Sequence, residues 1–114
     1  MLLFLRAGEV FLEKRPPAGL WGGLWCLPEM PWGADPGEYC GRRLGARLAG
    51  AERLPLLRHE FTHFTLNIAP LVCRLDSASY RAAEPGQIWL LLEDADKAAI
   101  PSPVRKLLAA LRSV

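Results

Sequence analysis

Leu12-Glu-Lys-Arg-Pro-Pro-Ala-Gly-Leu-Trp-Gly-Gly-Leu-Trp-Cys-Leu-Pro-Glu29 is a strand, a stop and a glycine-rich corner written in one stretch. Pro16 and Pro17 end the strand, because proline has no ladder N–H and pushes its predecessor into an extended conformation. Gly19, Gly22 and Gly23 then permit close backbone approach or positive φ, while Trp21 and Trp25 bring large apolar area to cover a sheet.

Upstream, Leu2–Leu5 and Val10–Leu12 are apolar runs joined by Ala7-Gly8-Glu9, which predicts an antiparallel hairpin. The run in Met1-Leu-Leu-Phe-Leu-Arg6 is too short for a signal-peptide core or a membrane span. A strand that begins at residue 1 is expected of a piece of a longer chain. Downstream, Asp35-Pro-Gly-Glu38 opens a helix, with Asp35 as N-cap, Pro36 at the first position and Glu38 three residues after the cap. Cys40, Leu44 and Leu48 recur every fourth residue, so this helix is expected to run to Gly50 with Arg42, Arg43 and Arg47 off its apolar face. Leu54–Phe61, Thr65–Leu75 and Ile88–Leu92 are rich in strand formers. Leu66, Ile68 and Val72 share one parity, and Pro70 marks an edge or a bulge. A second helix starts at Ser102-Pro103, with Val104, Leu107, Leu108 and Leu111 in one stripe. This order predicts one α+β domain over residues 1–114, a sandwich built on a mixed β-sheet flanked by two α-helices.

Composition agrees. A chain of 114 residues that is 51% hydrophobic and 23% charged can form a single core without a metal or disulfide framework. The net charge of +2 singles out no partner, although eleven of the fourteen basic residues are arginine, which favours carboxylate and phosphate. Cys26, Cys40 and Cys73 are odd in number and widely spaced, so they build neither a disulfide set nor a zinc or iron–sulfur site, and a reducing cytoplasm is expected.

The Leu12–Glu29 stretch, together with Arg58-His-Glu-Phe-Thr-His-Phe-Thr-Leu66 and the tail from Ile88-Trp89 through Pro101-Ser-Pro-Val-Arg-Lys-Leu-Leu108, resembles the carboxy-terminal, MutT-like (Nudix-fold) domain of adenine DNA glycosylases of the MutY type. Such enzymes remove adenine mispaired with 8-oxoguanine. The resemblance implies a recognition domain whose catalytic partner, with its acid–base carboxylates and 4Fe-4S cluster, is an amino-terminal domain of the same polypeptide. It further implies a monomer, located in the cytoplasm at a bacterial nucleoid, with duplex DNA containing 8-oxoguanine as partner. No cofactor, metal or catalytic residue is expected in these residues themselves.

A Nudix hydrolase is the competing enzyme reading. It needs Gly-x5-Glu-x7-Arg-Glu-x-x-Glu-Glu, because magnesium bridging a diphosphate takes several carboxylate oxygens from one helix face. From Gly23 the first acid falls at Glu29, but the later positions hold Gly37, Glu38, Gly41 and Arg42. A helix carrying Arg42, Arg43 and Arg47 repels the cation it would have to hold. A third reading is a protein-interaction module exposing Trp21, Trp25 and Trp32 as an aromatic patch.

By the resemblance, Phe61, Thr62 and His63 match the family's Phe-Ser-His loop, in which the Ser reads the lesion and the Phe wedges beside it. Threonine here keeps the hydroxyl but adds a methyl that restricts its rotamers. From the residues alone, Phe61 and Phe64 read first as core aromatics, as most aromatics in strand-like sequence are. His63 and His59 are candidate donors to phosphate or a base edge, or strand residues with satisfied hydrogen bonds. Arg58, beside the loop, and Arg15 and Lys14 are the candidate phosphate contacts.

Overall fold

The structure, a computed structural model, describes residues 1–76 and 84–112. Its elements are β1 (Leu2–Arg6), β2 (Glu9–Lys14), β3 (Trp25–Cys26), α1 (Pro36–Leu44), β4 (Leu48–Arg53), β5 (Leu57–Glu60), β6 (Thr65–Ile68), β7 (Leu71–Leu75), β8 (Gln87–Leu91), α2 (Leu92–Ala95) and α3 (Ser102–Arg112). Among the described residues no helix is long and apolar enough to cross a membrane.

β1 and β2 form the expected antiparallel hairpin, with Arg6 opposite Glu9. Its turn is only two residues, Ala7 and Gly8, both at positive φ (48° and 78°), which matches the twist of the flanking strands. β8 runs along one edge of β2, while β1 and then β3 take the other. β1 lies parallel to β7, and β7 lies antiparallel to β4 at the rim, so the sheet is mixed.

Both faces of this sheet are covered, which is why β1 reads as a continuous apolar run instead of alternating. Leu2, Phe4, Phe11, Cys73 and Leu75 face α1, where Tyr39, Cys40 and Leu44 meet them. Leu3, Leu5, Val10, Leu12 and Val72 face the opposite way, where Val104, Leu107 and Leu108 of α3 close the second core. The α+β sandwich with a helix on each side is therefore the architecture, and α2 is a single extra turn tied to α3 by ion pairs from Asp96 to Arg105 (3.7 Å) and Arg112 (3.5 Å).

Three expectations need correction. The first helix stops at Leu44 and not near Gly50: Gly45 takes a left-handed conformation (φ 64°) and its N–H closes on the Gly41 carbonyl at 3.1 Å. Leu48 accordingly begins β4, whose ladder to β7 satisfies the backbone beyond the cap. The predicted Thr65–Leu75 strand is two strands in different sheets: β6 pairs only with β5, and after Ala69-Pro70 the chain enters the main sheet as β7. The predicted Leu54–Phe61 strand shortens to β5, with Leu54 instead donating its N–H to the Pro70 carbonyl. Leu66, Ile68 and Val72 nonetheless all pack on the α3-side core.

Candidate nucleic-acid interface

The β5–β6 hairpin carries five of the seven candidate residues. Its register pairs Leu57 with Ile68, Arg58 with Asn67, His59 with Leu66 and Glu60 with Thr65. Alternation then sorts the side chains into two faces. Leu57, His59 and Phe61 line the inner face with Phe64, Leu66 and Ile68. Arg58 and Glu60 lie on the outer face.

At the end of the hairpin, the Phe61 N–H donates to the Phe64 carbonyl at 2.8 Å, leaving Thr62 and His63 as the two-residue tip. Both tip side chains are exposed. The Phe61 and Phe64 rings stack at 4.4 Å and 20°, and Phe64 remains 49% exposed. Phe61 itself is half-buried and reaches inward to His59 (4.7 Å, edge-on) and to Trp21 (6.0 Å). Trp21 also meets His59 at 6.3 Å. These four rings join the glycine-rich corner to the hairpin, two segments far apart in sequence.

The basic candidates divide. Arg58 is 67% exposed and its 3.2 Å partner Glu60 is 70% exposed, a pair that solvent screens to little net value and that leaves the guanidinium available to an anion. Lys14 is exposed at the end of β2, its ammonium 5.8 Å from the Trp25 ring centre. Arg15 is committed to the corner: its Nε donates to the Leu20 carbonyl (3.3 Å) and its guanidinium pairs with Glu29 (3.3 Å).

The Nudix-type positions do not assemble a cation site. On α1 the remaining acid, Glu38, sits in the first turn, where its N–H is taken by the Asp35 side chain (3.3 Å). Arg43 bonds the Tyr39 hydroxyl (3.0 Å) and pairs with Glu13, so a cation from this helix already sits against a carboxylate of β2. The iron–sulfur cluster implied for the catalytic part does not fit this chain either. Such a cluster takes four thiolates, whereas Cys26 lies in the α3-side core and Cys40 and Cys73 in the α1-side core. Burial pushes all three thiols up to about 11, holding them protonated.

Nor do the tryptophans form one patch. Trp21 and Trp25 pack against the α3-side core, and Trp32 alone is 85% exposed, at the rim of a cavity of about 440 Å³. What the sequence reading missed is the pairing of Trp21 with the hairpin and of Arg15 with Glu29. A large aromatic set between Gly19 and Gly22 was the available signal, but it names no partner.

A family model described as NUDIX domain matches residues 1–110, and the chain belongs to that family. Within it, the chain is similar to adenine DNA glycosylases: 30% identical over 110 residues to that of Mus musculus, covering 85% of this chain and 20% of the relative, and 25% identical over 103 residues to that of Buchnera aphidicola subsp. Baizongia pistaciae, covering 90% and 29%. The chain thus spans less than a third of the length of these relatives. Among solved structures, the C-terminal domain of mouse MUTYH in complex with human PCNA superposes with a TM-score of 0.75 at 24% identity over 98% of this chain and 84% of that one. The MutT NUDIX hydrolase of Burkholderia pseudomallei gives 0.59 at 22% identity over 95% and 92%. At these identities the structural matches establish the fold.

Proposed function

We propose that this chain is the lesion-recognition domain of an adenine DNA glycosylase, binding duplex DNA at 8-oxoguanine and giving mispair specificity to a catalytic domain of the same polypeptide. The observation that carries the reading is the hairpin tip, where Thr62 is exposed in the turn that joins two stacked phenylalanines. 8-Oxoguanine presents a donor at N7 and a new carbonyl acceptor at C8, whereas guanine presents an acceptor at N7 and nothing at C8. One hydroxyl can accept from the first and donate to the second. Phe61 or its stacked neighbour supplies an apolar wedge at the base step. His63 at the tip and Arg58 on the outer face supply donors to the backbone, and Lys14 adds charge, so affinity falls steeply with salt. The chain performs no chemistry of its own; the glycosylase step and its 4Fe-4S cluster belong to the remainder of a longer, monomeric protein acting in the cytoplasm.

The test is a two-dimensional amide NMR titration at low salt with matched duplexes holding 8-oxoguanine or guanine opposite adenine. Shifts centred on Phe61, Thr62 and His63 and larger for the lesion are expected. Thr62→Ala is expected to lose about 1 kcal/mol of discrimination, one hydrogen bond's worth, and Thr62→Ser to keep it. Equal discrimination in the alanine variant removes Thr62 from the site, and magnesium-dependent turnover of 8-oxo-dGTP overturns the non-catalytic assignment in favour of a small Nudix hydrolase.

A further inference from the structure

We infer that Trp21 is a positioning residue for the reading tip, and that the glycine-rich corner around it serves in this chain as the scaffold that aims Thr62 and His63. The inference rests on the assignment of Thr62 as the lesion reader.

The hairpin needs such support. β5 and β6 form a two-stranded sheet that is not hydrogen-bonded to the main one, and an isolated two-stranded ribbon is marginal in water. Its root is held by Leu57, Leu66 and Ile68 in the α3-side core. Beyond that root, the inner face near the tip consists of His59, Phe61 and Phe64, and Trp21 is the ring that meets the first two from the body of the domain.

Trp21 is also held with unusual firmness. It adopts φ 54°, a left-handed conformation that side chains with a Cβ rarely take. The corner that imposes it is bonded within itself and to the residues that follow β2. Gly22 N–H donates to the Gly19 carbonyl (3.2 Å), Leu24 N–H to the Trp21 carbonyl (3.1 Å), and Gly23 N–H to the carbonyls of Arg15 (3.3 Å) and Pro16 (3.2 Å). The Arg15 side chain spans the corner from the Leu20 carbonyl to Glu29. A strained residue persists only where its surroundings over-determine it, and such strain concentrates at functional sites. Here the residue with the strained backbone sets its ring against the hairpin that carries the candidate reader. Glu29, Arg15, Leu20, Trp21, Phe61 and the tip thus form one continuous line of contacts.

The experiment compares Trp21→Leu, Trp21→Phe, Thr62→Ala and the Trp21→Leu/Thr62→Ala double variant of the 114-residue chain. The readouts are the affinity ratio for duplexes with 8-oxoguanine against guanine, and amide hydrogen exchange at residues 61–64. Leucine keeps apolar cover over the core and removes the ring; phenylalanine restores a ring. Positioning predicts that Trp21→Leu lowers the ratio about fivefold, as Thr62→Ala does, and speeds exchange at 61–64 about tenfold while β1 and β2 keep their protection. It further predicts that the double variant is no worse than either single one, and that Trp21→Phe recovers most of the ratio. Non-additivity is the signature of acting through Thr62, which a merely structural role would not give. If Thr62→Ala lowers the ratio and Trp21→Leu changes neither ratio nor exchange, positioning is wrong and the reading stands. If Thr62→Ala leaves the ratio intact, or neither duplex binds, the reading itself fails and positioning with it. Should Trp21→Leu not fold, Trp21→Phe decides: its smaller ring is expected to keep most of the ratio and to speed exchange at 61–64 about twofold over wild type, and exchange as slow as in wild type overturns positioning.

Discussion

Gly22 and Gly23 sit side by side in the corner and exclude a side chain for different reasons. A Cβ on Gly22 would stand 2.3 Å from the Pro17 carbonyl oxygen and 2.8 Å from its carbon, both backbone atoms that cannot swing away. A Cβ on Gly23 meets nothing within 4 Å, but its φ of 77° is left-handed. Gly22→Ala is therefore expected to cost about 3 kcal/mol through overpacking against backbone, and Gly23→Ala only about 1 kcal/mol through conformational strain. Urea denaturation of the two variants checks the order; a larger loss at Gly23 would mean that the corner is not packed as described. The sequence showed that glycine was wanted here. It could not show that one position needs space and the other a dihedral angle, because the Pro17 carbonyl is brought against Gly22 only when the corner closes.

At the scale of the element, α1 was legible at its start and not at its end. Asp35 caps it as the residue pattern predicts, its side chain accepting from the Glu38 N–H, and Asp35→Ala is expected to cost about 1 kcal/mol, measurable by thermal melting. A melting curve unchanged within error would show the cap to be idle. The misplaced end has a physical origin. Cys40, Leu44 and Leu48 keep helical spacing, yet Leu48 reaches the same α1-side core from a strand, since the left-handed turn at Gly45 redirects the chain and β7 offers it a ladder. Periodicity reports which side chains face the core, and two different backbones can deliver the same facing. The same ambiguity fused β6 and β7 in the sequence reading, because Leu66, Ile68 and Val72 do share a core although their strands belong to different sheets.

For the whole molecule, burial on both faces of one sheet makes stability depend on alkaline pH. Cys26, Cys40 and Cys73 have thiols raised from 9.0 to about 11, with desolvation the first cause for each. The folded state holds these protons while the unfolded chain releases them near pH 9. Stability is thus unaffected by the thiols below pH 9 and falls as pH rises from about 9 to about 11. Tyr39 is shifted upward by burial as well and acts in the same direction. A urea midpoint measured at pH 8 and at pH 10.5 should drop, and a Cys73→Ala variant should drop less. Equal midpoints would mean that water reaches the thiols in the folded state.

The sequence by itself determined the domain class, the two covering helices and the Leu2–Leu12 hairpin, because each rests on local signals: caps, turn residues and runs of strand formers; Phe61, Thr62 and His63 stood out only through their resemblance to a family loop. It also carried the loss of the acidic helix, since residue type alone decides whether carboxylates are present to hold magnesium. Only the tertiary structure decided where β6 ends and β7 begins, that Arg15 belongs to Leu20 and Glu29 while Arg58 stays exposed, and that Trp21 stands beneath the hairpin. Those are contacts between segments remote along the chain. Their partners are chosen by which surfaces remain uncovered once the sheet has formed, and no local pattern of residues records that choice.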